Sequence, residues 1–213
     1  LDKVGTFGMI RYCLTMFPEA SKTFTPVIMV LAVISIIYGA FLAIGAKDIK
    51  RLIAYTSISH FGFITMGIFA MTSQGQSGAI LYMFNHGFST AALFLVAGWM
   101  ISRRGSSKIS EFGGLQRVTP VMAWTFFIAG LSSLALPGLS SFVSEFLVLV
   151  GTFTRYPVHA IIATFGIVLA ALYILIPVQK ALHGPTTPGN ENLKDMNLRE
   201  KLAIAPVIAI IVV

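Results

Sequence analysis

The sequence has few charged residues: Asp, Glu, Lys and Arg make up 11% of its 213 residues, whereas hydrophobic residues make up 56%. A soluble domain carries roughly 25% charged residues, so this chain lacks the polar side chains that a surface in water needs. Its single cysteine excludes an internal disulfide, a Cys-rich zinc site and an iron–sulfur cluster held by cysteines alone, because each needs several thiols. The composition therefore predicts a membrane protein without such a redox centre.

Basic residues outnumber acidic residues by 15 to 8, but they lie in loops between apolar runs, so we do not expect nucleic-acid binding. One side of the predicted bundle receives eleven of them, and the other side receives only Lys22 and Arg155. Because cytoplasmic loops carry an excess of Lys and Arg, the first side is expected in the cytoplasm. We expect a multi-pass protein of the bacterial plasma membrane.

The apolar runs are continuous rather than alternating, which favours helices over strands. They predict an all-α, polytopic membrane bundle in which residues 1–213 form a single membrane domain. The chain starts at Leu1 rather than at a methionine, and its last apolar run is shorter than the about 20 residues of a full span. We therefore expect a fragment of a longer subunit. Seven helices are predicted, the last incomplete: 1–17, 25–46, 49–72, 79–102, 120–155, 157–182 and 198–213.

The segment 120–155 is too long for one straight span, and it contains Pro137 followed by Gly138. Proline removes a backbone donor and clashes with the preceding helical turn, so we predict a break at this point. Lipid tolerates a break only where the freed backbone groups face protein or water. Two interpretations stay open, an ion pathway and a packing kink.

Four ionisable side chains are predicted inside the membrane. At 1.5 Å of rise per residue, Lys3 lies roughly 21 Å, His60 roughly 14 Å, His86 roughly 12 Å and Glu145 roughly 15 Å from the surface that bounds its helix. Burial favours the neutral forms of lysine and glutamate, and histidine titrates near neutral pH, so all three residue types can exchange protons there. A shared layer of Lys3, His60, His86 and Glu145 therefore predicts a proton relay.

Simpler interpretations exist for each group. Either histidine could be a neutral core residue bonded to a hydroxyl or carbonyl group, and Lys3 could be a loop residue paired with Asp2. Glu145 is harder to explain by packing, because an uncompensated carboxylate at midplane costs at least ~2.5 kcal/mol. A purely structural scaffold is disfavoured for the same reason.

Four stretches resemble the antiporter-like membrane subunits of respiratory complex I and of the Mrp Na⁺/H⁺ antiporters: 48–62, 85–89, 111–115 and 136–146. The likeness spans residues 1 to about 200 with the order of helices preserved. It implies a 14-helix subunit built from two inverted five-helix repeats, of which this chain holds the eighth helix onward. The second repeat would cover about 25–182, and the first repeat, with its buried glutamate and lysine, would be missing.

The resemblance also implies roles for the same four residues. Lys3 matches the lysine of the family's eighth helix, His60 and His86 match the central histidines, and Glu145 matches the acidic residue after the helix break, where some relatives have lysine. The implied function is proton translocation by a non-redox subunit of an NADH:quinone oxidoreductase. NADH, FMN, iron–sulfur clusters and quinone would bind partner subunits, with no cofactor or metal in this chain.

The implied neighbours are lipids and other membrane subunits of complex I, including further antiporter-like subunits. The alternative is a subunit of an Mrp-type cation/proton antiporter, in which no redox chemistry takes place. The sequence leaves both open, and co-purifying flavin and iron–sulfur subunits would distinguish them.

Overall fold

The computed structural model describes residues 2–212, so Leu1 and Val213, which the predicted terminal helices include, lie outside the described residues. A π-helix, Met9–Leu14, follows α1, and a 3₁₀ turn, Ile109–Glu111, precedes α5. The described range contains no strand beyond an isolated bridge, so the all-α prediction is confirmed. The α-helices are α1 Asp2–Gly8, α2 Pro18–Ile44, α3 Ile49–Phe69, α4 Ser73–Arg104, α5 Leu115–Val118, α6 Pro120–Ser133, α7 Ser140–Phe153, α8 Pro157–Leu182 and α9 Leu198–Val212.

Four helices, α2, α3, α4 and α8, are long and apolar enough to cross a membrane. Even α3, with 21 residues, extends about 31 Å, which matches a hydrocarbon core of about 30 Å. Outward-facing side chains on α2 and α8 are large and apolar, as a lipid-facing surface requires; examples are Phe24, Phe41, Phe165 and Val168. The multi-pass membrane architecture is therefore confirmed.

The helix break predicted at Pro137 and Gly138 is also confirmed. The half-helices α6 and α7 have 14 residues each and are separated by residues 134–139. Two residues of the break have positive φ angles, Ala135 at 54° and Gly138 at 95°. Glycine adopts positive φ angles without a steric penalty. Alanine adopts them only at a steric cost, so the backbone strain of the break is concentrated at Ala135.

Two predicted helix starts are wrong, and the helix predicted to end at residue 72 ends at Phe69. α2 begins at Pro18 rather than at residue 25, because proline is favoured in the first turn of a helix. α4 begins at Ser73, so residues 73–78, predicted as a polar turn, form its first turns. The side chain of Thr72 caps this helix by accepting a hydrogen bond from the backbone N–H of Gly75 at 3.1 Å.

Glycine and serine residues bring α2 and α3 into close contact. A Cβ atom on Gly62 of α3 would lie 2.6 Å from the backbone oxygen of Ala32 in α2. The hydroxyl of Ser59 donates to the carbonyl of Ile36 at 2.9 Å. Small residues and interhelical hydrogen bonds are the usual means of helix association in lipid, so this interface fixes the position of α3 and its histidine.

α4 and α7 approach each other in the same way. A Cβ atom on Gly78 of α4 would lie 2.7 Å from the backbone nitrogen of Val148 in α7. The hydroxyl of Thr72 donates to the carbonyl of Gly151 at 3.0 Å. These contacts set the register of α7 against α4 and thereby fix which side chains of the two helices meet at the centre of the bundle.

We predict that Gly62→Ala destabilises the protein by about 1–3 kcal/mol, the usual cost of overpacking, because backbone atoms of α2 block the new methyl group. Gly98→Ala is the matched control, since nothing lies within 4 Å of a Cβ atom at Gly98. Thermal unfolding of the full-length protein in detergent measures both variants. Equal midpoints for the two would contradict the tight α2–α3 contact.

Candidate functional site

Three of the four predicted relay residues are buried at the centre of the bundle. His60 on α3 and His86 on α4 are each 3% exposed, and Glu145 on α7 is 5% exposed. Lys3 on α1 is partly exposed. The three buried groups come from three different helices, and Glu145 lies in the second turn after the helix break.

The two histidine rings lie next to each other. Their centroids are 4.9 Å apart and their planes are tilted by 58°. The ring of Phe61 lies 6.1 Å from that of His86, and the Nζ atom of Lys3 lies 5.0 Å from the centroid of Phe61. Lys3 is also close enough to act electrostatically on both imidazoles. The structure thus brings Lys3, His60 and His86 together, with an aromatic face beside the ammonium group.

A tyrosine connects the histidines to Glu145. The hydroxyl of Tyr82, which is 1% exposed, donates to Oε2 of Glu145 at 2.8 Å and lies 2.7 Å from Nδ1 of His60. Because the tyrosine proton points to the carboxylate, its oxygen accepts the Nδ1 proton of His60. The network therefore assigns the Nδ1–H tautomer to a neutral His60.

The other nitrogen of His60 reaches the helix break. Its Nε2 atom lies 3.3 Å from Oγ of Ser133, the last residue of α6, and in the assigned tautomer it accepts the serine proton. On the second histidine, Nδ1 of His86 lies 2.5 Å from Oγ1 of Thr90. Within the described part of the chain, Nε2 of His86 has no hydrogen-bond partner, so this nitrogen is available for proton exchange.

Polar side chains of α4 bind the two half-helices at the break. The amide of Asn85 donates to the carbonyl of Ser140 at 2.6 Å, and the hydroxyls of Ser89 and Ser132 are 2.7 Å apart. This bond ties α4 to the first residue of α7. The break faces polar protein groups, which is the condition under which a membrane interior tolerates it.

A cavity of about 500 Å³ lies against the break on the side of α8, and Glu145 forms part of its wall. Most of its other lining is apolar, including Pro137, Phe142, Phe146 and Val168. All four of these residues are also exposed on the bundle surface. The carboxyl group of Glu145 therefore lies between the two histidines and a groove that opens at the surface of the bundle.

Sequence reasoning missed three residues of this network: Ser133, Tyr173 and Tyr82. Ser133 and Tyr173 carried no signal; Tyr173 is 1% exposed and lies within electrostatic reach of Glu145 and beside Ser59. Tyr82 did carry one. Its spacing of four residues from His86 places both on one helical face, and that was the signal for its role.

Among residues 2–212, no group of three or more His, Cys, Asp or Glu side chains is placed to hold a metal ion. What the buried groups have in common is the ability to exchange protons. His60, Tyr82 and Glu145 form an unbroken series of hydrogen bonds between three helices, with His86 and Lys3 at one end. This arrangement can move a proton between the groups.

Comparisons with known proteins agree with the four stretches singled out in the sequence. The family model described as NADH:quinone oxidoreductase/Mrp antiporter, TM, matches residues 1–170. Over 213 residues the chain is 55% identical to NADH-quinone oxidoreductase subunit M of Mycobacterium tuberculosis and 40% identical to that of Rickettsia prowazekii. It covers 38% and 43% of these two proteins, so it spans about two fifths of their length.

Solved structures show the same fold. A chain of respiratory complex I from Thermus thermophilus with bound NADH superposes with a TM-score of 0.92 at 32% identity, covering 99% of this chain and 44% of that one. A chain of the Mrp complex from a Dietzia species superposes with a TM-score of 0.82 at 24% identity, covering 87% of this chain and 35% of that one, and shows the fold alone.

The bacterial relatives and the four long apolar helices indicate a multi-pass protein of the plasma membrane, as predicted. The family model covers well over half of the chain, and the order of the helices is that of the superposed complex I chain. The resemblance inferred from the sequence is therefore confirmed. The chain belongs to the NADH:quinone oxidoreductase/Mrp antiporter transmembrane family.

Proposed function

We propose that this chain is part of a proton-translocating membrane subunit of an NADH:quinone oxidoreductase, and that protons cross it through Lys3, His60, His86, Tyr82 and Glu145. The single observation that carries the proposal is the buried series of hydrogen bonds from His60 through Tyr82 to Glu145. Buried ionisable groups are costly in a membrane, and three of them in one connected row have a common use as a proton path.

In the proposed step, a proton moves from His60 to Glu145 by way of Tyr82. A proton first reaches Nε2 of His60 from the side of His86 and makes the ring an imidazolium. The Nδ1–H bond then breaks as its proton passes to the phenol oxygen, while the tyrosine proton passes to Oε2 of Glu145. Tyr82 remains neutral because it gains one proton and loses another, and His60 becomes neutral with its proton on Nε2. A tautomer change returns His60 to the Nδ1–H form.

Lys3 supplies the far end of the path. Its positive charge lies near both imidazoles and disfavours a second positive charge on them, so a proton that reaches His86 or His60 is driven on toward Glu145. A change in the charge of Lys3 would therefore control when the histidines are loaded.

Glu145 is the proposed exchange point toward the outer side. Its carboxyl group receives the proton at the end of the hydrogen-bonded row and lies in the wall of the groove beside the helix break. Residues 134–137 of the break line the same groove, so a proton that leaves Glu145 would do so beside the break. The break thus has a use beyond packing.

Redox chemistry belongs to partner subunits in this proposal. The relatives are named as subunits of NADH-quinone oxidoreductase, so NADH, FMN, iron–sulfur clusters and quinone would bind elsewhere in the complex. This chain would contribute no redox site and would contact lipids and neighbouring antiporter-like subunits. As a domain, 1–213 would contain the second inverted repeat at about 25–182.

An Mrp-type cation/proton antiporter is the second candidate, because the family model and one superposed structure include such proteins. Purification of the full-length protein with its natural partners distinguishes the two. Flavin and iron–sulfur subunits in the same particle support the oxidoreductase. A particle that contains antiporter subunits alone and shows sodium-dependent proton exchange would support the Mrp-type antiporter instead.

We predict that Glu145→Gln sharply lowers the number of protons pumped per NADH oxidised, because glutamine keeps the size and hydrogen bonding of the side chain but does not titrate. Coupled electron transfer should slow as well, while assembly is kept. Glu19→Gln is the matched control, since Glu19 is exposed and pairs with Lys22 at the surface. Wild-type pumping by Glu145→Gln in vesicles with a pH-sensitive dye would remove Glu145 from the path.

We predict that Tyr82→Phe lowers the pumping rate by about 100-fold or more, the usual contribution of a positioned proton-transfer group. The substitution keeps the ring and removes only the bridge between His60 and Glu145. Tyr38→Phe, on the exposed face of α2, should pump as the wild type does. An unchanged rate for Tyr82→Phe would mean that the proton bypasses the tyrosine.

A further inference from the structure

A second cavity, lined by basic side chains, lies at the end of the bundle where most of the basic residues are found. It has a volume of about 680 Å³ and is formed where α2 ends, α3 begins, the 3₁₀ turn packs and α8 ends. Four basic side chains line it: Lys47, Arg51, Lys108 and Lys180. The cavity lies in a size range typical of small-ligand sites, and it is separate from the histidine–glutamate row.

The one carboxylate in the cavity wall is already engaged. Asp48 caps α3 by accepting hydrogen bonds from the backbone N–H groups of Lys50 and Arg51, at 2.9 and 3.1 Å, and from the hydroxyl of Ser107. Partial burial raises the pKa of Asp48, but the hydrogen bond from Ser107 and those from the backbone outweigh it and hold the pKa below its usual value. Asp48 is therefore ionised at neutral pH and directed at the helix terminus.

Ion pairs engage few of these basic side chains. Among the described residues, Lys47, Arg51 and Lys180 make no ion pair within 4.0 Å. Lys108 lies 3.7 Å from Glu111, and both side chains are exposed, so this pair contributes little. Four cations against one engaged carboxylate give the cavity a strong preference for an anion.

The surface between the cavity and the middle of the membrane is apolar. Ala46 and Ile109 are apolar residues of the cavity lining itself. On α8, Leu172, Ile176 and Lys180 follow one another at intervals of four residues and so share a face; the two apolar side chains are 44% and 40% exposed. They lie about 12 and 6 Å from Lys180 along the helix, toward the middle of the membrane.

We infer that this cavity binds the headgroup of an anionic phospholipid, with its phosphate among Lys47, Arg51, Lys108 and Lys180 and its acyl chains along the α8 face of Leu172 and Ile176. A basic pocket at the end of membrane-spanning helices, directly above exposed apolar side chains, matches the two parts of such a lipid. A free phosphate or a nucleotide would use the cations and leave the apolar face uncovered.

The test uses the full-length protein in its assembled complex, in nanodiscs that contain photoactivatable phosphatidylglycerol or photoactivatable phosphatidylcholine. Cross-links are mapped by mass spectrometry. We expect phosphatidylglycerol to label residues 172–180 in preference to phosphatidylcholine. A quadruple variant with Lys47→Gln, Arg51→Gln, Lys108→Gln and Lys180→Gln should lose this preference, and Lys180→Gln alone should reduce it about fivefold.

The matched control removes four other exposed cations from the same end of the bundle, by Lys50→Gln, Arg117→Gln, Lys194→Gln and Lys201→Gln. It should label as the wild type does, and Lys180→Arg should also keep the preference. If both quadruple variants lost the preference for phosphatidylglycerol equally, the preference would come from general surface charge, and the proposed site would be wrong. Equal labelling by the two lipids, displacement by inorganic phosphate, or a cross-link from Lys180 to an acidic segment of a partner subunit would overturn it as well.

Discussion

The cost of placing ionisable groups in a hydrocarbon layer is the constraint on which the rest of this structure depends. Glu145 and the two histidines are buried only because polar partners meet them, and the hydroxyl of Tyr82 is the central partner, in contact with both His60 and Glu145. For that contact to form, three helices must keep one register. The glycines between α2 and α3 and between α4 and α7 permit the close approach that sets this register.

The helix break belongs to the same constraint. A continuous helix from 120 to 155 would satisfy its own internal backbone hydrogen bonds. The break at residues 134–139 instead divides it into two half-helices, and Asn85, itself one residue before His86, bonds to the first residue of the second one. Half-helix ends, hydroxyl side chains and the carboxyl group are thereby gathered at one depth, which is the arrangement that the proposed proton path needs.

Much of the fold could be predicted from the sequence, because continuous apolar runs and the Pro137–Gly138 pair have direct physical consequences for helices in lipid. His60, His86 and Glu145 could be selected by depth and charge alone. Tyr82 and Ser133 could not, since their importance comes from the rotation of α4 and the end of α6, which tertiary packing decides. The start of α4 was misplaced because Gly75 and Gly78 are typical of turns, whereas here they permit contact with α7. The basic cavity likewise joins residues from three separate segments of the chain.

Protonation of Glu145 during turnover is the step on which the proposed path stands, and infrared difference spectroscopy of the assembled complex measures it directly. We expect NADH oxidation to produce a carboxyl C=O difference band that is absent in Glu145→Gln, is shifted in Tyr82→Phe because a hydrogen bond is lost, and is unchanged in the exposed control Glu19→Gln. A band that persists unaltered in Glu145→Gln would show that Glu145 keeps one protonation state during turnover, and the path through Tyr82 would be wrong.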